Sequence, residues 1–249
     1  MVDEPAGSRL LEVARPPASR EVSFLTVLHG WPADAERWLL SVFAHHGGHD
    51  FEAVLVDNSG DARLAGWLEG RAAQRLRRQR LDPPVGFAAA VNAGLEAAAG
   101  EAVILCDPGV EFSGDVAGPL LAALAQPDVK LAGAFGVRGQ GSLKEFGEHP
   151  GPEVDAVEGY CMAFRRADAL AAGGFDPWFR FYRIADIEFS FRMRAAGGRA
   201  LVVPNLPVHK HAHRLWEAAE PAERDRLSKR NLYRFLDRWG KRADLLLRD

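Results

Sequence analysis

The chain has 249 residues, 47% of them hydrophobic, enough apolar material for one large α/β core or at most two small ones. Its 31 basic and 34 acidic residues leave a net charge of -3, which excludes broad electrostatic attraction to nucleic acid or acidic membranes and favours small or neutral partners. No apolar run approaches the roughly 18 residues of a membrane span, and Asp3, Glu4 and Pro5 do not open a signal peptide, so a cytoplasmic protein is expected.

Residues 1–20, with Pro5, Gly7, Ser8, Pro16 and Pro17, read as a loosely packed leader. Val22 to Leu28 is a buried first strand ending at His29-Gly30. A helix follows on the spacing of Ala35, Trp38, Leu39, Val42 and Phe43, with Asp34 as its cap and Gly47-Gly48 as its stop. Ala53 to Val56 is a short strand that runs into Asp57-Asn58-Ser59-Gly60. A helical stretch is expected around Leu64 to Leu76, its Arg71, Arg75, Arg77, Arg78 and Arg80 forming a solvated face. Phe87 to Ala99 is a helix with Phe87, Val91 and Leu95 as its buried stripe. Ala102 to Cys106 is a buried strand that delivers Asp107-Pro108-Gly109-Val110-Glu111. Cys106 and Cys161 lie in apolar runs, the setting of buried free thiols rather than of a disulfide framework.

Further on, Leu120 to Leu124 reads as helix and Val129 to Phe135 as strand, and the glycine- and proline-rich Val137 to Pro152 reads as a flexible lid. Tyr160 to Phe164 and Leu201 to Val203 are strands. Asp186 and Glu188 open a helix on Ile187, Phe191 and Ala195, stopped by Gly197-Gly198. A last amphipathic helix carries Leu232, Phe235, Leu236 and Trp239. The βαβα alternation predicts a doubly wound sheet, with ligands outside the carboxyl ends of the strands, where Asp57 and Asp107 fall.

Several of these groups have chemistry to offer. Asp57 can accept a hydrogen bond from a pyrimidine ring N–H, although Asp-Asn-Ser-Gly is also favourable turn chemistry. Gly86, Phe87 and Asn92 stand at a helix start whose N–H groups suit phosphate oxygens, and Asn92 could equally bond neighbouring loops. Asp107, with Glu111 nearby, can supply oxygen ligands to a hard divalent cation on a diphosphate. Asp186 is placed to act as a general base beside the aromatic segment Trp178, Phe179, Phe181 and Tyr182. His209, His211 and His213 share a face if the chain there is extended, the spacing of a metal site. No Gly-x-x-x-x-Gly-Lys and no Gly-x-Gly-x-x-Gly after a strand is present, which excludes a P-loop ATPase and a dinucleotide dehydrogenase.

In this order the segments resemble those of the family 2 glycosyltransferases of GT-A fold, in particular the rhamnosyltransferase-like branch. The segments are Val56-Asp57-Asn58-Ser59, Gly86 to Gly94, Leu105 to Val110, Glu158-Gly159-Tyr160, Arg165-Arg166, Gly173-Gly174-Phe175-Asp176 and Asp186 to Gly197. The resemblance implies a single α/β domain over residues 21–215, with a mixed, mainly parallel sheet flanked by helices and a C-terminal helical extension over 216–249. It also implies inverting transfer of a sugar from a UDP- or dTDP-sugar to an acceptor hydroxyl. By the same likeness Asp57, Gly86, Phe87, Asn92 and Asp107 bind the nucleotide, and Tyr160 and Trp178 the acceptor. Asp186 is then the base, and Asp107 and His209 hold Mg2+ or Mn2+. The chain has Gly109 where the family's Asp-x-Asp motif ends in a carboxylate, and Ala185 where its Glu-Asp motif begins. Those two positions keep a non-catalytic nucleotide-sugar-binding relative open as an alternative. A sugar nucleotidyltransferase would carry a glycine-rich, arginine-containing loop where His29-Gly30-Trp31-Pro32 stands, and a metal hydrolase would rest on His209, His211 and His213.

Overall fold

A computed structural model describes residues 19–247, so the leader read over residues 1–20 lies outside the described residues except for its last two. In chain order the first half comprises β1 (Arg20–Leu28), α1 (Pro32–His45), β2 (Phe51–Asp57), α2 (Ala62–Glu69), β3 (Leu76–Arg80), α3 (Phe87–Ala97), β4 (Gly100–Cys106), β5 (Val110–Phe112) and α4 (Ala117–Leu124). Next come β6 (Val129–Gly133), β7 (Gly136–Gly139), β8 (Phe146–Glu148), β9 (Glu153–Val154), β10 (Ala156–Val157), β11 (Cys161–Arg165) and α5 (Arg166–Ala171). The chain finishes with α6 (Ala185–Ala195), β12 (Arg199–Val202), β13 (Val208–Lys210), α7 (Arg214–Ala218) and α8 (Pro221–Trp239).

The main sheet runs in the order β3-β2-β1-β4-β11-β6-β12-β9. β3, β2, β1 and β4 are mutually parallel, and β11 is inserted antiparallel between β4 and β6. This is the mixed, mainly parallel α/β sheet expected. Within the parallel half β1, β2 and β4 are buried on both faces, which is why each reads as a continuous apolar run. Along β1, Leu25 and Val27 enter the core beneath α3 and α6, while Val22, Phe24 and Leu28 enter the core beneath α1 and α4. The register sets Leu28 beside Asp57 and Thr26 beside Cys106, so the ends of β1, β2 and β4 converge on one edge.

Three local readings need correction. The helix expected to Leu76 stops at Glu69, and Leu76 to Arg80 is instead the edge strand, with Leu76 paired to Ala53. The edge strand leaves Arg78 and Arg80 exposed, as they would be on a helix face, while Arg77 pairs with buried Glu52 at 3.2 Å. The helix after β1 begins at Pro32 behind Trp31, which is left-handed at φ 53, rather than at a cap on Asp34. The expected lid over Val137 to Pro152 is ordered structure: β7 pairs with both β8 and β10 in a second sheet. Cys106 and Cys161 face each other across β4 and β11 as buried free thiols, and burial pushes the Cys106 thiol up.

The last helix lies on α6. Phe235 and Trp239 enter the core against Phe191, and Leu232 and Leu236 pack at its edge. Buried Asp176 and Glu188 are bridged to the same region by Arg192, Arg234 and Arg238, and Trp239 Nε1 donates to Glu188 at 3.3 Å. No helix among the described residues is long and apolar enough to cross a membrane.

Candidate active site

A cleft of about 520 Å³ opens at the converging strand ends. β1 contributes His29 to Trp31, β4 contributes Asp107, and the turn before β11 contributes Glu158 to Tyr160. Asp186 enters from the start of α6, and α7 and α8 add Arg214, Lys229 and Leu232. Arg214 Nε donates to buried Asp34 at 2.9 Å, tying the segment after β13 to α1.

Asp107 is held on both oxygens. Oδ1 accepts the Gly109 N–H at 2.7 Å, and Oδ2 lies 2.9 Å from His213 Nε2. His213 is oriented by rings: Tyr182 stacks on it at 3.8 Å and 15°, and Tyr160 meets it edge-on at 5.8 Å. Its Nδ1 is buried without a partner. His29 stands beside this pair, and burial drives its imidazole down to about 4 despite the neighbouring Asp107 and Asp57 charges. The Tyr160 phenol is pushed up to about 12 by burial, with Asp107 and Glu158 adding to the effect.

Asp186 is half-buried at the first turn of α6, entered through Ile184 at φ 70. Its Oδ2 accepts the Gly159 N–H and its Oδ1 the Ile187 N–H, both at 2.9 Å. Burial raises its carboxyl above the usual range, with those two donors and Arg183 pulling the other way. Desolvation therefore outweighs the hydrogen bonds. Glu158 faces the same space and is also raised by burial, with Lys210 opposing and Asp186 reinforcing the shift.

Asp57 ends β2, almost fully buried. Ser59 occupies Oδ1, through its N–H at 3.0 Å and its hydroxyl at 2.6 Å, whereas Oδ2 has no partner. An unpartnered buried carboxylate oxygen is costly unless something donates to it.

Residues 27–188 match the family model for glycosyl transferase family 2. The chain belongs to that family. An uncharacterized protein of Sinorhizobium fredii, y4gI, is 27% identical over 216 residues, which is 74% of this chain and 23% of y4gI. The fold is that of GalNAc-T7 solved with UDP, GalNAc and Mn2+, at TM-score 0.70 and 17% identity over 90% of this chain and 49% of that one. A mannosyltransferase of Pyrobaculum calidifontis in complex with GDP-Man and Mn2+ gives a TM-score of 0.61 at 17% identity, over 94% of this chain and 79% of that one. S. aureus TarS 1-349 gives 0.59 at 18% identity, over 89% and 73%. The chain thus spans less than a quarter of y4gI and about half of GalNAc-T7.

Within this family 2 domain the expected site residues separate into two groups. Asp107, Tyr160, Phe87 and Asp186 line the cleft, and Asp57 lies at the end of the strand beside it. Asn92 does not reach it: Nδ2 donates to the Phe175 carbonyl and Oδ1 accepts the Phe175 N–H, each at 2.8 Å, so its amide is consumed in joining α3 to the chain before α6. At the start of α3 the first two N–H groups are also engaged, Phe87 and Ala88 donating to the Arg180 and Phe179 carbonyls. Gly86, at φ 96, serves close packing: a Cβ there would lie 3.0 Å from the Arg180 backbone.

Trp178 is 71% exposed and outside the cleft lining, with Arg234 over its ring. His209 is exposed on β13, paired in register with Glu111, and does not meet Asp107. Glu111 lies 2.7 Å from His211 instead of sharing the Asp107 position. His209 and His211 stay together, ring centroids 4.4 Å apart, whereas His213 turns to Asp107, because β13 ends at Lys210 and the alternation of an extended strand ends with it. Among the described residues no three His, Cys, Asp or Glu side chains form a metal cluster, which leaves the metal-hydrolase reading without a site.

His213, His29, Tyr182 and Glu158 also line the cleft, and none of the last three was expected to act in the site. Each carried a signal only as part of a segment: the His-x-His-x-His run, His29-Gly30 at the end of β1, the aromatic segment before Asp186, and Glu158-Gly159-Tyr160. At position 109, a side chain would meet Asp107 Oδ1 at 2.8 Å, so the turn that positions Asp107 is built around glycine.

Proposed function

We propose that this domain is an inverting glycosyltransferase that moves a sugar from a UDP- or dTDP-sugar to an acceptor hydroxyl, with Asp186 as general base. The observation that carries the reading is Asp186 itself, a carboxylate with a raised pKa facing the same cleft as Asp107 and His213. It would take the acceptor proton as the acceptor oxygen bonds to the anomeric carbon and the bond from that carbon to the diphosphate breaks. A raised pKa makes the carboxylate a stronger base once it is ionised.

Asp57 supports a pyrimidine. Its single unpartnered oxygen matches the one ring N–H of uracil or thymine, whereas guanine presents an N–H and an amino group together. Asp107 and His213 fit a divalent cation such as Mg2+ or Mn2+. They lie 2.9 Å apart, near enough that both would hold one ion. When bound, the ion would neutralise charge on the leaving diphosphate.

Gly109 and Ala185 favour a second reading, a relative that binds nucleotide sugars without transfer. Release of nucleoside diphosphate from UDP- and dTDP-sugars in the presence of Mn2+ decides between the two. Turnover that Asp186→Asn abolishes supports the transferase. Nucleotide binding with no turnover by either protein leaves the binding relative, and no binding at all removes both.

A further inference from the structure

Glu158 faces the cleft yet has no part in the proton transfer assigned to Asp186. It lies between β10 and β11, its backbone N–H donating to the Phe135 carbonyl at 2.9 Å. The next residue, Gly159, donates its own N–H to Asp186 Oδ2. The approach is close: a Cβ at 159 would stand 3.4 Å from Asp186 Cβ and 3.6 Å from Oδ2. Consecutive links of one backbone turn therefore carry one carboxylate and hold the other.

The protein uses only half of the Glu158 carboxylate. Oε2 accepts from Lys210 Nζ at 3.3 Å, and Lys210 is fixed in turn by the rings of Tyr160 and Phe135, whose centroids lie 3.8 and 4.5 Å from Nζ. Oε1 accepts no hydrogen bond among the described residues. A rigidly held carboxylate with a vacant acceptor oxygen, one residue from the group that binds the base, is suited to a second hydroxyl of the molecule whose first hydroxyl reacts. A phosphate or carboxylate in that position would meet Glu158 and Asp186 together, with Glu145 and Glu148 also on the lining.

We propose that Glu158 is a specificity-determining residue of the acceptor site, accepting on Oε1 a hydrogen bond from a hydroxyl next to the one that Asp186 deprotonates. The acceptor is then a neutral sugar with two neighbouring hydroxyls rather than an isolated alcohol or a sugar phosphate. This rests on Asp186 being the base.

The test uses methyl glycosides of glucose, galactose, mannose and rhamnose, titrated by saturation-transfer NMR into the full chain loaded with UDP and Mn2+. At least one glycoside is expected to bind, and its phosphorylated counterpart to bind more weakly. Glu158→Ala should weaken that glycoside about tenfold to a hundredfold. Glu158→Gln, which keeps one acceptor oxygen, should recover part of the loss, and UDP titration of both variants reports that the fold is intact. The deoxy glycoside lacking the neighbouring hydroxyl should bind wild type as weakly as the parent binds Glu158→Ala, with no further loss when the two changes are combined. Absence of binding by every glycoside, or affinity within twofold of wild type in Glu158→Ala, overturns the proposal. Failure of the base assignment appears separately, as UDP-sugar hydrolysis by Asp186→Asn at the wild-type rate.

Discussion

The two halves of the cleft are built by different means. The proposed donor half hangs on parallel strands: β1, β2 and β4 run side by side, and their ends present His29, Asp57 and Asp107 on one edge. The proposed acceptor half is assembled from a short turn, the start of α6 and the surface of α8, held by Gly159, by Lys210 in its aromatic setting, and by ion pairs around Asp176 and Glu188. Sheet register sets where the residues of the first half stand, and His213 and Ser59 then orient the Asp107 and Asp57 carboxylates. The second half depends on individual polar contacts, so single substitutions should strike the two halves differently.

The largest effect is expected at the chemical group of the acceptor half. Asp186→Asn should lower the rate of sugar transfer by about 10²–10⁴ while leaving UDP affinity near wild type, measured by nucleotide release and by titration. The wild-type rate should also fall with acidity. A base must be ionised, and burial raises the Asp186 pKa, so kcat/KM should drop as pH falls through a value above the ordinary carboxylate range, and Asp186→Asn should lose that limb.

Stability should separate the halves next. Glu188→Ala leaves Arg192 and Arg238 facing a buried gap and should cost about 3–5 kcal/mol in urea unfolding, with the loss concentrated in the packing of α8. In the donor half, Asp57→Ala should weaken UDP by about 1.5–3 kcal/mol, roughly tenfold to more than a hundredfold, with little change in unfolding midpoint. Smallest is Gly94→Ala in α3, whose new Cβ would press on Leu25 and Val56 of the parallel strands; about 1–3 kcal/mol of stability should be lost with UDP affinity retained. If Glu188→Ala and Gly94→Ala destabilise equally, the contrast between register-built and contact-built halves is wrong.

Legibility in the sequence followed the same division. A parallel strand buried on both faces leaves an apolar run, and the first polar residue at its end marks the carboxyl edge of the sheet, so the places of Asp57 and Asp107 on that edge could be read directly. β3 was misread because Leu76-Arg77-Arg78-Gln79-Arg80 has too few apolar residues to show strand alternation. Asn92 and the start of α3 read as a phosphate site, yet the backbone of Phe175, Phe179 and Arg180 bonds the Asn92 amide and the Phe87 and Ala88 N–H groups. The side-chain contacts that complete the cleft join residues far apart in sequence: Asp107 to His213, and in the acceptor half Glu158 to Lys210 and Gly159 to Asp186. No local pattern records such pairs. His209 and His213 were exchanged for that reason, since strand parity held only as far as Lys210.

The central claim, a pyrimidine nucleotide seated with its base at Asp57 and its diphosphate at Asp107 and His213, is tested most directly by calorimetric titration of the full chain with UDP and with GDP in the presence of Mn2+. UDP should bind at least tenfold more tightly than GDP, and Asp57→Ala should remove most of that preference. Equal or tighter binding of GDP, or no binding of UDP, would contradict the account.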